Sequence, residues 1–455
     1  MLRTLLPLAG AILAVSWVGS ASASDFNRCA DAGTLPELTG SLCTIASAPL
    51  DHQRIDDART VDLFVRKFPA DGPPRGSVWL IAGGPGESGA SFYPLLPRLR
   101  TAFPGFDLLI PDHRGTGYSS KLCPLEEAPD SAEGIALAGS EWAGCIASVY
   151  QDPDRASAFN IANAARDLAG LIEAGRQDGP VYVYAVSYGT QMVLRMMQAA
   201  PLHLDGLILD SLVPPETTDQ WDLSHRTQIT DATGRAVLGE QDQQSYRHLL
   251  EAAEGSPPWL ERIPGRNIKA FMGGLLDFPS LRSKIPELSK QLADNETTLL
   301  DAVLGELRAV GEPFTRYPQS PSSLPLVMAI SGSENNARPD LKAETVAAEA
   351  AAAWFTSPLP GYLVDNPFPL YARDALFGGE PVRLPRTLVL HGTLDPKTPY
   401  VGAVRRIADL GPGADVTLVT VTQAPHFILL TAPQCFEGAV TLFLNGQNIG
   451  SPCSL

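Results

Sequence analysis

The sequence is short of positive charge. Lys and Arg number 34 against 50 Asp and Glu, a net charge of −16. That balance argues against a nucleic-acid partner or an anionic membrane surface, because both are bound by basic patches. No Cys-x-x-Cys occurs and no two histidines stand at metal-ligand spacing, so no metal site is expected. The Gly-rich stretch Ala82-Gly83-Gly84-Pro85-Gly86-Glu87-Ser88-Gly89 lacks the lysine of a phosphate-binding loop and the spacing of a dinucleotide fingerprint. No cofactor is expected. Long apolar runs are missing except at the start. There, Arg3, then LLPLAGAILAVSWV, then Ala21-Ser22-Ala23 read as an export signal over residues 1–23, too short and interrupted to span a bilayer stably. The expectation is an exported protein, periplasmic or secreted, without a membrane anchor.

Cysteine is scarce but even in number. Six residues fall as three sequence-local pairs, and in an exported chain this points to disulfides. Cys29–Cys43, Cys123–Cys145 and Cys435–Cys453 are the expected bridges among fifteen possible connectivities.

What is present is apolar strand followed by helix, repeated. VDLFVRKF (61–68), GSVWLIAGG (76–84), FDLLIPDHRGTGYS (106–119) and VYVYAVSYGT (181–190) contain β-branched and aromatic runs that read as strands. LDGLILDSLV (204–213), RTLVLHGTLDPKTP (386–399) and DVTLVTV (415–421) read likewise. SGASFYPLLPRLR (88–100), NIANAARDLAGLIEAG (160–175), VGAVRRIADL and FEGAVTLFLNG (436–446) read as helices, and residues 24–60 as irregular. Such alternation predicts a mostly parallel sheet with helices on both faces. Residues 214–375 break the pattern. They hold helical stretches such as QSYRHLLEAAE, TTLLDAVLGELRAV and KAETVAAEAAAAWF, separated by Pro and Gly. The expected organisation is a core from 24–213 and 376–455, with a helical cap inserted over 214–375. Trp221, Trp259, Phe271, Trp354 and Phe355 are expected in the cap's own core.

One stretch organises the chemistry. Ala185-Val186-Ser187-Tyr188-Gly189 sits between a buried strand and the helical run TQMVLRMMQAA. A serine flanked by small residues two positions either side, at a strand-to-helix turn, is the nucleophile elbow of α/β-hydrolases. Bulk on either side would strike the neighbouring strand or helix. A serine hydroxyl needs a base, and the base needs an orienting acid. In this fold the chain order is serine, acid, histidine. Asp395 follows an apolar strand, and of seven histidines only His426 lies beyond it. Two strand–helix units need about 60 residues, and the far longer stretch from Ser187 to Asp395 leaves room for the cap. The oxyanion donors are expected to be the N–H groups of Tyr188 and Gly84, with Gly83 next. Asp112 and Arg114 are expected to hold the Gly-rich loop to the sheet.

Taken together, IAGGPGESGAS (81–91), DHRGTGYS (112–119), AVSYGTQ (185–191), GTLDPKTP (392–399) and His426 resemble the prolyl- and tripeptidyl-aminopeptidase family of α/β-hydrolases. The segment from Cys435 to Cys453 resembles the exported tripeptidyl-aminopeptidase branch. The resemblance implies a serine peptidase that removes residues from free N-termini, with Ser187, Asp395 and His426 as triad and Gly84 as oxyanion donor. The chain departs from it in three places. Ala82 precedes GGPG where many relatives have His, Ala185 replaces the elbow glycine, and Ala329-Ile330-Ser331-Gly332-Ser333-Glu334 has Gly and Glu where exported relatives often have Cys and Asp. A cap disulfide is therefore not expected. The motif singles out Glu334 as the carboxylate for the substrate amine, and Glu87 in the oxyanion loop is a second candidate. An esterase or amidase acting on non-peptide acyl groups would use identical machinery. A binding protein on the same scaffold would not need the triad. The sequence leaves oligomeric state and side-chain preference open.

Overall fold

A computed structural model describes residues 26–54, 56–132, 134–364 and 366–455. The export signal expected over residues 1–23 lies outside the described residues. Ten strands form one sheet: β1 (Asn27–Arg28), β2 (Leu42–Pro49), β3 (Thr60–Phe68), β4 (Ser77–Ile81), β5 (Asp107–Pro111), β6 (Val181–Val186), β7 (Gly206–Asp210), β8 (Thr387–Gly392), β9 (Val416–Thr422) and β10 (Cys453–Ser454). Their order is β1-β2-β3-β5-β4-β6-β7-β8-β9-β10. From β5 to β10 all neighbours are parallel, while β1, β2, β3 and β5 pair antiparallel.

Alternation along each strand builds the two faces. Trp79, Ile81, Leu109, Val183 and Ala185 pack on one side with the helices Ile161–Ala174 and Tyr188–Ala199. Val78, Leu80, Leu108, Tyr182, Tyr184 and Leu390 pack on the other with Leu96–Ala102 and Pro433–Leu444. Both faces are covered, so β4 to β8 are buried at every residue and read in the sequence as continuous apolar runs.

Two expected elements need correction. Residues 24–60 are not irregular, because β2 lies among them. Most of its residues are half-buried or exposed near the sheet edge, so its sequence lacks the strong apolar alternation of a covered strand. The stretch 88–100 is not one helix. A 3-10 segment, Gly89–Leu95, contains Pro94 and hands over to the α-helix Leu96–Ala102. The helices Glu141–Gln151 and Pro153–Ala158 carry no clear apolar stripe and have no counterpart in the sequence reading. All three bridges form, Cys29–Cys43, Cys123–Cys145 and Cys435–Cys453, with Cα–Cα distances of 5.0, 5.1 and 6.0 Å.

Between β7 and β8 the described residues contain helices and no strand. Leu249, Trp259, Phe271, Leu288, Val303 and Phe355 form a separate apolar cluster there. Trp354 packs at its margin, but Trp221 does not join it and instead lines a cavity at Ser187. The helix Leu324–Ser333 packs Leu326, Ala329 and Ile330 onto the sheet-side core, so the insertion is fastened over the carboxyl edge.

Candidate active site

Ser187 sits at the carboxyl end of β6 with φ 55° and ψ −127°. A non-glycine residue at positive φ costs energy and persists only where its surroundings enforce it. Here its N–H donates to the Asp210 carbonyl at 3.0 Å, and its carbonyl accepts from the Thr190 N–H and Oγ1 at 2.8 and 2.7 Å. Gly189 explains the small residue two positions on. A Cβ there would lie 2.6 Å from the Ala82 carbonyl oxygen.

Asp395 follows β8 and His426 follows β9. His426 Nδ1 and Asp395 Oδ2 are 2.7 Å apart, both residues being buried. Asp395 also accepts from the Lys397 and Thr398 N–H groups, each at 2.8 Å, and from Thr398 Oγ1 at 2.9 Å. Burial raises the Asp395 pKa, but the charge and hydrogen bond of His426, with His391 and the Thr398 amide, outweigh it. The carboxyl is held well below the usual carboxylate range. His391 Nε2 contacts the Thr398 carbonyl at 2.7 Å behind the pair, and burial lowers its pKa.

The histidine loop is fixed from β7. Asp210 accepts from the Ile428 and Leu429 N–H groups at 2.8 and 2.9 Å and from the Tyr184 hydroxyl at 2.9 Å. Ser211 Oγ accepts from the Phe427 N–H at 2.8 Å. Ser187 and His426 face a shared cavity of about 260 Å³. Among the described residues no hydrogen bond joins the two side chains; catalytic hydrogen bonds of this kind tighten in the substrate complex.

Gly84 and Tyr188 line the cavity beside Ser187. Among the described residues neither N–H has a protein acceptor, so both are free to donate to a developing oxyanion. Gly84 has φ +112°, a conformation L side chains rarely adopt. Gly83 lies against the nucleophile, where a Cβ would stand 3.2 Å from Ser187 Cβ. Asp112 ties this loop down. Its Oδ1 accepts from the Gly89 N–H at 2.7 Å, and its Oδ2 from the Tyr118 N–H and Gln319 Nε2 at 2.9 and 3.0 Å. Arg114 is locked to Asp167 at 2.6 Å and to the Leu50 and Ala158 carbonyls.

A carboxylate cluster borders the same cavity. Glu334 is buried; its Oε1 accepts from the Tyr371 hydroxyl at 2.8 Å and the Ile161 N–H at 3.1 Å. Glu216, which sequence reasoning missed, lines the cavity with it. One cation serves both. Arg195 lies 2.6 Å from Glu216, 3.5 Å from Glu334 and 3.2 Å from Asp374. Burial raises the Glu216 pKa, but Arg195 and Arg406 outweigh it and leave the group below its ordinary value. For Glu334 burial wins over Arg195, and its pKa is raised. Glu87 is exposed and lines the Ser187–His426 cavity. Arg195 did leave a signal in the sequence, a lone charge in the apolar helix stretch MVLRMM.

A family profile described as alpha/beta hydrolase fold matches residues 76–273, and one described as TAP-like protein matches residues 369–451. The chain has the α/β-hydrolase fold, with a TAP-like C-terminal part. This hydrolase is 24% identical over 456 residues to serine protease Hip1 of Mycobacterium bovis and of Mycobacterium tuberculosis, covering 90% of this chain and 85% of each relative. Among solved structures it is similar to a hydrolase from Pseudomonas aeruginosa PA01, at TM-score 0.41 and 18% identity, over 89% of this chain and 98% of that one. The protein is a serine hydrolase.

Proposed function

We propose that this hydrolase is an exported serine aminopeptidase that releases short N-terminal units from peptides with a free N-terminus. The observation that carries the reading is the carboxylate cluster at the nucleophile. Glu216, Glu334 and Asp374 gather around Arg195, and Glu216 and Glu334 line the cavity, a carboxylate pair placed to receive a substrate ammonium. The helical insertion supplies Glu216 and Glu334 and acts as a cap that limits how much chain can enter. Ser187 Oγ attacks the scissile carbonyl while His426 takes its proton. Asp395 orients the imidazole and supports its positive charge. The Gly84 and Tyr188 N–H groups hold the oxyanion, His426 returns the proton to the leaving amine, and water hydrolyses the acyl-enzyme. Three disulfides agree with export, and among the described residues no helix is long and apolar enough to cross a membrane.

The test is a panel of aminoacyl, dipeptidyl and tripeptidyl amides, free or acetylated at the N-terminus, with fluorophosphonate labelling alongside. Free-amine substrates are expected to be cleaved and acetylated ones to resist, with labelling lost in Ser187→Ala. Equal cleavage of blocked and free substrates would defeat the exopeptidase reading and favour an esterase or amidase. Absence of labelling in the parent protein would defeat catalysis by Ser187.

A further inference from the structure

The carboxylate wall accounts for one end of the cavity. The other end is built around Arg226, the first residue of the helix Arg226–Val237. Three neighbouring cavities surround the nucleophile and the space beyond it, and Arg226 and Lys397 line all three. The third, of about 420 Å³, runs from these two residues past Phe271, Pro264 and Leu307.

Arg226 is only 9% exposed. Its Nε is buried without a hydrogen-bond partner, and among the described residues no carboxylate forms an ion pair with it. Of the other buried arginines, Arg66, Arg114, Arg195 and Arg406 are matched to Asp31, Asp167, Glu216 and Glu380, and Arg282 donates to the Gln423 carbonyl at 2.6 Å. A buried guanidinium without an acceptor is costly. The acids that attract Arg226 through space are Asp395, Asp277 and Asp222. Each is already engaged, Asp395 with His426, Asp277 with Lys397 at 3.0 Å, and Asp222 with Ser224 and His225. What Arg226 lacks is an acceptor from outside the chain. A planar guanidinium at a cavity wall is suited to a carboxylate, which it can grip with two parallel hydrogen bonds.

We propose that Arg226, assisted by Lys397, binds a carboxylate of the substrate, so that peptides with a negative charge near the scissile bond are preferred. This rests on the aminopeptidase reading and adds a second electrostatic anchor to it. The amine sits against Glu216 and Glu334, and the carboxylate against Arg226. The carboxylate has two possible sources, the C-terminus of a short peptide or an Asp or Glu side chain beside the cut.

The experiment measures how well peptides protect Ser187 from a fluorophosphonate probe, which reads binding whether or not the peptide is hydrolysed. Two matched pairs separate the sources: Ala-Ala-Ala-Ala as free acid and as C-terminal amide, and Ala-Ala-Glu-Ala amide against Ala-Ala-Gln-Ala amide. In the parent protein one anionic member is expected to protect at about tenfold lower concentration than its neutral partner, the scale of a charge-assisted hydrogen bond. In Arg226→Gln that ratio is expected to fall to near one, and Arg226→Lys to restore part of it. Ratios near one for both pairs in the parent protein would overturn the proposal, even should the variants not fold. A ratio that survives in Arg226→Gln would overturn it too, as would a uniform loss for charged and neutral peptides, which marks a structural countercharge to Asp395. Repeating both pairs with acetylated peptides separates the two readings. Equal protection by acetylated and free peptides sinks the aminopeptidase while the charge ratio still reports on Arg226.

Discussion

Replacing Arg195 with methionine tests the charge arithmetic beneath the site. Arg195 is 2% exposed, and its guanidinium lies 2.6 Å from Glu216, 3.5 Å from Glu334 and 3.2 Å from Asp374. Methionine keeps much of the volume and removes the charge. Breaking a buried pair by deleting one partner costs about 3–5 kcal/mol, because the other charge stays buried. That is a large share of a typical stability of about 5–15 kcal/mol. The pH dependence carries the sharper test. In the parent protein Arg195 holds Glu216 below its ordinary pKa, so its stabilisation is present at neutral pH and is lost only as pH falls through the acid range. In the variant nothing of that strength opposes burial, and the Glu216 pKa rises above its unfolded value. The variant is then weakest at alkaline pH and recovers as acid protonates the stranded carboxyls. Urea unfolding at pH 8 and at pH 5.5 measures this. The deficit is expected to be largest at pH 8 and to shrink toward pH 5.5, by about 1.4 kcal/mol for each pH unit over which one extra proton is bound in the folded state. A deficit under about 1 kcal/mol at pH 8, or one that grows as the pH falls, would refute the reasoning.

Two further substitutions probe the reacting groups. Thr398→Val removes the 2.9 Å hydrogen bond to Asp395 Oδ2 while keeping the backbone donors, so kcat is expected to fall about 10- to 100-fold, with KM and the unfolding midpoint little changed; an unaltered kcat would show that the hydroxyl does not hold the acid. Gly189→Ala places a methyl 2.6 Å from the Ala82 carbonyl oxygen, so about 1–3 kcal/mol of stability and most fluorophosphonate labelling are expected to be lost. A fully labelled, fully stable Gly189→Ala protein would show that the elbow has more room than its geometry allows.

How much of this was readable in the sequence depends on how far apart the cooperating residues lie. The central strands were legible because burial on both faces demands continuous apolar runs, as in Val181 to Val186. β2 was not, because near the sheet edge neither burial nor alternation is enforced. Asp395 and His426 could be picked out because the fold prescribes their order, and the structure brings them within 2.7 Å. Asp210 and Ser211 escaped notice. A polar residue at a strand end has many uses, and nothing in SerLeuVal hints that the amides beyond His426 would be its partners.

The carboxylate cluster shows where the limit falls. The partners of Arg195 lie 21, 139 and 179 positions away. A charge inside an apolar helix announces that it needs a partner, since burying it alone is costly. It does not announce with what, because the insertion that supplies Glu216, Glu334 and Asp374 follows no strand order that fixes its placement. Glu334 was reached only through a motif, and Glu216 by nothing. Trp221 was assigned to the insertion's core by size alone and lies instead at the cavity, since an aromatic can satisfy burial against a pocket wall as well as within a core. Fold constrains the residues that make and break bonds, whereas those that choose the substrate are free to come from any segment that reaches the cavity. That freedom is why the reaction class is readable from chain order, whereas the proposed peptide preference rests on Arg226 and on the carboxylates around Arg195.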